Sequence, residues 1–440
     1  MITKKNRLLF MLAGTMLLAS ACSGPGAAGP SPDGSKDAAA SKGPVKVTMW
    51  LTPIVPEETL KERIAAYNAS QTEVQVDLTV LDFAAGREKI KVAISGGAGP
   101  DLFYIGNGLD QAYIDAKVLL PLEDAGFTKE ELGRFNPLIG MNADQGKILA
   151  APVYYDAYML YYRKDVLKQY GFEAPPKTWE ELKSVAKAIT TKSGGAVMGY
   201  QHKGGDDHLN AINLTWQTFL DQADGHYMDV KTRKSTLSSP EGKQALEYIK
   251  SFYDEGISKT GPSAVNGFRE GKVAMFEFAQ NVIDFDKYIT DENMKGKWAI
   301  APVPKGPKSG ASYAGGQGIA INAKTAHKEA AGKALKWLVQ PAHMPIWMNN
   351  GHGIPAYDLD KVDADVKAKV QEVIDKDKEN WEAILEQVKR NRPDLMVEQR
   401  MAYTARWDAQ KKLLIAALGG FKPVDEVLKG LDAEVNQALQ

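Results

Sequence analysis

The sequence predicts an α/β fold, and three patterns carry that reading. Short stretches alternate apolar and polar residues at period two, helical periodicity separates them, and from Val362 onward the chain is periodic helix almost throughout. Residues 45–50 alternate and form a first strand. Residues 57–70 place Leu60, Ile64 and Tyr67 on one helical face, and 74–81 return to alternation through Val74, Val76, Leu78 and Val80. Residues 87–95 read as a helix that ends at Gly96-Gly97, and 101–105 as a third strand. The β-α-β-α-β order argues for a parallel sheet with helices on both faces, where ligands bind beyond the carboxyl ends of the strands.

The junction before the third strand has its own logic. Gly96-Gly97-Ala98-Gly99 leaves the helix through a tight turn that needs positive φ. Pro100 sets the entry angle, and Asp101 is placed to satisfy nearby backbone donors. Further on, 148–162 is a long apolar and aromatic stretch, followed by 164–170 and a Pro175-Pro176 break. Thr178 is an N-cap for a helix over 179–190, with Glu181 completing a capping box. Residues 240–253 and 326–339 are helical by periodicity, while 297–303 and 318–322 read as short strands. The helical tail breaks at Arg392-Pro393 and at Gly419-Gly420.

The N-terminus is an export signal. Lys4, Lys5 and Arg7 precede an apolar run from Leu8 to Ala21, which is shorter than the roughly 20 residues a membrane-spanning helix needs. Ala19-Ser20-Ala21 then leads into Cys22, the chain's one cysteine. The junction resembles the lipobox of bacterial lipoproteins, with Ala19 where Leu is usual, and implies a lipid on Cys22. A remainder without cysteine suits an exported protein with no disulfide framework. The next residues, rich in Gly, Ala, Ser and Pro, bury too little surface to offset their ordering entropy and read as a flexible tether.

About 400 of the 440 residues remain beyond signal and tether, enough for two domains. A net charge of −1 leaves no electrostatic footprint for nucleic acid, so none is expected as a partner. No second apolar run reaches membrane-spanning length, so attachment to the membrane rests on Cys22.

Several blocks together resemble the extracellular solute-binding proteins of the maltose-binding (family 1) type, receptors of sugar ABC importers. They are Val45-Lys46-Val47-Thr48-Met49-Trp50, Gly96 to Asp101, Gly146 to Asp156, and Tyr161 to Asp165 running on to Pro175-Pro176-Lys177-Thr178-Trp179. Phe268 to Met275, Gly315-Gly316-Gln317-Gly318 and Pro423 to Leu428 complete the set in the family's order. The resemblance implies a two-lobed, periplasmic-binding-protein-like α/β fold of type II. Each lobe would be a mainly parallel sheet flanked by helices, the lobes discontinuous and joined by a hinge. The implied boundaries are a signal peptide at 1–21, a lipid-anchored tether at 22–44, lobe one at 45–153 and 305–353, and lobe two at 154–304 and 354–440.

The ligand would lie between the lobes. A sugar offers apolar ring faces and a belt of hydroxyls, so its receptor needs flat aromatics and short polar side chains. From the resemblance, Trp50 and Thr52 would present contacts at the end of the first strand, and Tyr104 and Asn107 after the third. Tyr155 and Asp156 would reach the ligand from the hinge, and Asn213 and Trp216 from a helix of lobe two. Glu277 and Asn281 follow the Ala274-Met275 block; Asn281 stands where relatives carry a stacking tryptophan, which points to a ligand other than maltodextrin or more polar. Gly315, Gly316 and Gln317 would offer backbone N–H groups. His352 would sit at the rim, and Trp407 would be the late stacking tryptophan. Asn107, Trp50 and Trp407 each have a packing or turn reading beside the ligand one, and Asp156 that of a solvated or ion-paired carboxylate, whereas Trp337 and Trp347 read as packing residues.

The reading is thus a lipid-anchored, extracytoplasmic receptor, a monomer, that captures a mono- or oligosaccharide and delivers it to ABC permease subunits. It is no enzyme and needs no cofactor or metal. Only Asp156 and Glu277 among the candidates are charged, which favours a neutral, hydroxyl-rich ligand over the alternatives, an amino acid derivative or a polyamine. An exported carbohydrate-active enzyme is the remaining rival. No Gly-x-Ser-x-Gly elbow, Walker A loop or His-Glu-x-x-His occurs. His202, Asp206, Asp207 and His208 read as a solvated loop.

Overall fold

Eight strands build the principal sheet: β1 (Val45–Leu51), β2 (Val74–Val80), β3 (Leu102–Gly106), β4 (Ala150–Arg163), β5 (Met275–Ala279), β6 (Trp298–Pro302), β7 (Ala314–Ile321) and β8 (Ile354–Pro355). The computed structural model describes residues 43–53, 56–106, 111–202, 208–279, 294–349, 353–392, 395–401 and 403–439. All belong to one body, residues 43–440. Cys22, the signal and the tether up to residue 42 lie outside the described residues, as do Asn107, Asn281, His352, Asp206 and Asp207.

The order across the sheet is β6-β4-β7-β3-β1-β2, with β5 and β8 also paired to β4. β1 pairs in parallel with β2 and β3. Its Val47, Met49 and Leu51 are buried while Lys46 and Thr48 are exposed, the alternation read from the sequence. The helix Glu57–Ser70 covers it with Leu60, Ile64 and Tyr67. Gly97 adopts φ 75°. Asp101 Oδ2 accepts from the Thr48 N–H and hydroxyl at 2.8 Å each, and Oδ1 takes the Thr325 hydroxyl, which ties β1, β3 and the residues after β7 together.

The expectation of mainly parallel sheets is corrected here. Among the described strands of this sheet, parallel pairing is confined to β1, β2 and β3, while β7 runs antiparallel to both β3 and β4, and β5, β6 and β8 run antiparallel to β4. The sheet is mixed because β4 runs on from the region it shares with β7 into the one it shares with β5 and β6, antiparallel to its partners in both. β4 is one strand of 14 residues, buried throughout except for Tyr162. Its Ala150–Ala157 portion pairs with β7, and Tyr158 onward pairs with β5 and β6. A strand apolar on both faces needs cover on both, and helices provide it.

β6 is an edge, and buried amides close it. Asn380 accepts from Ile300 N–H at 2.9 Å and, just past the strand, Gln387 from Val303 N–H at 3.0 Å, while Asn391 accepts from Ser312 N–H ahead of β7 at 3.0 Å. These side chains come from the helix Lys378–Arg390 and the residue after it, so the tail protects the edge from pairing with another chain. A second core forms between the helices His208–Gln222, Pro240–Asp254, Tyr403–Leu418 and Val424–Ala438. Trp337 packs on Tyr67 with ring centroids 5.3 Å apart, and Trp347 is buried in the main core.

Candidate functional site

Tyr104 is the centre of the arrangement. It stands near the carboxyl end of β3, opposite Ile319 of β7, and it is buried. A side-chain hydrogen bond joins it to Gln317, and Arg87 and Asp156 lie within electrostatic reach. Burial raises its phenol to about 12, against the lowering influence of Arg87, so it is a neutral hydroxyl at physiological pH. A Cβ at Gly106 would come 2.8 Å from the Tyr104 hydroxyl, so a side chain there would crowd the ring's tip.

β7 carries the neighbouring groups. Gly315 stands opposite Asp156, Gly316 opposite Tyr155, and Gln317 opposite both Tyr154 and Gly106, with a bulge after Gln317. A Cβ on Gly316 would lie 2.5 Å from the Tyr154 carbonyl oxygen, so only glycine allows β7 this close to β4. Asp156 is buried at the point where β4 changes partners. Tyr155 is buried beside Tyr357, and burial pushes its phenol well up.

The other wall is aromatic. Tyr403 and Trp407, one turn apart on the helix Tyr403–Leu418, stack with ring centroids 5.5 Å apart at 22°. Both are half-buried. Arg87, on the helix Phe83–Ser95, hydrogen-bonds the Tyr403 side chain and faces Tyr104 and Tyr313. The Trp407 carbonyl accepts from Asn213 Nδ2 at 3.3 Å.

The structure therefore brings Tyr104, Asp156, Gly315, Gly316 and Gln317 together, and Arg87 joins them to the Tyr403–Trp407 pair. It places other candidates in packed layers. Trp50 sits opposite Phe103 with the Lys89 ammonium 4.8 Å from its ring centre, against the helix Phe83–Ser95. Thr52 is fully buried near the start of that helix. Trp216 fills the second core beside Ile212 and Phe219. Glu277 is 1% exposed, near Tyr200 and Tyr248, and burial raises its carboxyl to about 8. Arg87, Tyr313 and Tyr403 were not among the sequence candidates. The four-residue spacing to Trp407 is the signal that finds Tyr403; Arg87 and Tyr313 leave none.

Flat rings beside hydroxyl, carboxylate, amide and guanidinium groups can hold a polar solute with apolar faces. Among the described residues no group of three His, Cys, Asp or Glu is placed to hold a metal, and no helix is long and apolar enough to cross a membrane. Fold and site define a binding protein for a small solute. The chain belongs to the bacterial extracellular solute-binding proteins, whose family profile matches residues 53–345.

Individual relatives agree with that membership. A probable ABC transporter-binding protein of Deinococcus radiodurans is 30% identical over 228 residues, 48% of this chain and 51% of that one, so the chain matches about half that relative's length. A maltooligosaccharide ABC transporter solute-binding lipoprotein of Streptococcus pneumoniae is 24% identical over 82% of this chain and 81% of its own. The cyclic α-maltosyl-1,6-maltose binding protein of Arthrobacter globiformis shares the fold with a TM-score of 0.76 at 21% identity, covering 90% of this chain and 99% of that one. MalE of Xanthomonas citri does so with a TM-score of 0.73 at 20% identity, over 90% and 97%.

Proposed function

We propose that this chain is the extracytoplasmic receptor of an ABC importer, which captures a mono- or oligosaccharide and hands it to permease subunits without altering it. The observation that carries the reading is the stacked Tyr403–Trp407 pair facing Arg87, with Tyr104, Gln317 and Asp156 beyond it. Stacked rings suit the apolar faces of a pyranose, and the polar set suits its hydroxyls. The saccharide named for the Streptococcus pneumoniae relative supports the same class. On this reading lobe one comprises 45–153 and 305–353, lobe two 154–304 and 354–440, and Asp156 lies by the hinge. Binding shifts the population toward the closed arrangement by as much as the ligand prefers it. The protein acts as a monomer tethered to the membrane through acylated Cys22.

Titration calorimetry over a panel of neutral mono- and oligosaccharides, with chromatography of the recovered sugars, tests the receptor. Saturable binding with unchanged sugars is expected. Cleavage of any glycan, or heat from none of them, sinks the reading. For the anchor, Cys22→Ser should release the protein from membranes, and unchanged partitioning would refute it.

A further inference from the structure

The helix that presents Tyr403 and Trp407 also carries a charge with no evident use. Arg406 is fully buried, directly before Trp407. Its guanidinium lies 4.6 Å from the Tyr227 ring centre. Tyr227 in turn donates its hydroxyl to Asp221 Oδ1 at 2.7 Å. Tyr403, Tyr313 and Asp221 also face the Arg406 charge. Asp221 belongs to the helix His208–Gln222, which also provides Asn213, the donor to the Trp407 carbonyl. A third link precedes them: Glu398, on the helix Leu395–Met401, accepts from the Tyr227 N–H at 3.0 Å and contacts His226 Nδ1 at 2.8 Å.

A buried guanidinium is a poor way to gain stability. Its desolvation costs several kcal/mol, and apolar residues of similar volume often serve as well or better. What it adds is direction. A cation over a ring and a hydroxyl on a carboxylate each fix an orientation, which apolar packing alone leaves freer. The rotation of the helix Tyr403–Leu418 about its axis decides whether its aromatic pair faces Arg87, and Arg406 stands on the same helix directly before Trp407.

We propose that Arg406 is a positioning residue: through Tyr227 and Asp221 it locks the rotation of its helix and so holds Tyr403 and Trp407 in register for the solute. This rests on the receptor reading above for the solute, but not for the orientation of the two rings.

The test uses full-length protein carrying 5-fluorotryptophan, the Trp407 resonance being assigned with Trp407→Phe. In ligand-free protein, Arg406→Met should shift or broaden that resonance while the melting temperature holds or rises, and Arg406→Lys should restore part of it. Tyr227→Phe keeps the ring but removes its hydroxyl, and should give a smaller change of the same kind; it decides the matter if the methionine variant does not fold. With the tightest-binding saccharide of the calorimetric panel as probe, the methionine variant should bind about tenfold more weakly, a difference of about 1.4 kcal/mol. An unmoved Trp407 resonance in Arg406→Met and Tyr227→Phe overturns the proposal. Wild-type protein that ignores every saccharide refutes the receptor reading instead, and the fluorine spectra still decide the positioning role.

Discussion

Tyr403 and Trp407 stack across one helical turn, and Arg87 hydrogen-bonds Tyr403 from a helix more than three hundred residues earlier in the chain. The pair therefore does two things at once: it offers a flat face and it meets the other side of the site.

Removal of that face should be felt in affinity before stability. Trp407→Ala is expected to weaken saccharide binding by about 1–3 kcal/mol, the scale of lost stacking and burial. Trp216→Phe, in the second core, should lower the melting temperature and leave affinity alone. Calorimetry on both variants checks this, and an unchanged affinity for Trp407→Ala takes that residue out of the site.

Gly316 should show stability and binding falling together. A methyl there meets the Tyr154 carbonyl oxygen, so Gly316→Ala must part β7 from β4. Overpacking of this kind costs about 1–3 kcal/mol. The same shift presses β7 toward β3 and disturbs the Gln317–Tyr104 hydrogen bond, so affinity should drop as well. A variant with native melting temperature and native affinity would show that the strands have room to spare.

Glu277 predicts a pH dependence. Its carboxyl is raised from 4.5 to about 8 by burial, so the folded state holds its proton longer than the unfolded one. That contribution is fully present below about pH 4.5 and is lost as pH rises toward 8. Glu277→Gln removes the ionisation, so its stability relative to wild type should grow across that window and level off above it. Urea unfolding at several pH values measures the difference, and a gap independent of pH would contradict the buried carboxyl.

Asp101 works the other way. Burial alone would raise its carboxyl, but hydrogen bonds from Thr325 and Thr48 outweigh it and hold the group below its ordinary value. The stability it contributes is present above the unfolded pKa and lost as pH falls through the folded one. Asp101→Asn should cost about 1–3 kcal/mol near neutrality, the scale of hydrogen bonds to a charged group. The gap to wild type should close in acid; if it stays constant down to pH 2, the carboxylate is not what holds the junction.

Much of the fold could be read from local pattern. The three first strands, the Gly97 turn and the role of Asp101 follow from alternation, positive φ and a carboxylate beside free donors. Thr178 does cap its helix, accepting from Glu181 N–H at 3.2 Å. The reciprocal arm of the box goes elsewhere, because the Glu181 carboxylate accepts from Lys177 N–H. The complete box is at Thr128 and Glu131, on a helix the sequence reading passed over. The helical tail between Arg392-Pro393 and Gly419-Gly420 holds the helices Leu395–Met401 and Tyr403–Leu418.

What the sequence determined by itself is whatever depends on neighbours in the chain: period, caps and glycine turns. The tertiary structure decided the rest. Gly315-Gly316 lies outside the strand read over 318–322, yet it is strand, because β4 supplies hydrogen-bond partners along that edge. Arg87 carries no local mark at all. It joins the site because distant segments of chain bring one guanidinium among three phenols, and no periodicity records an encounter of that kind.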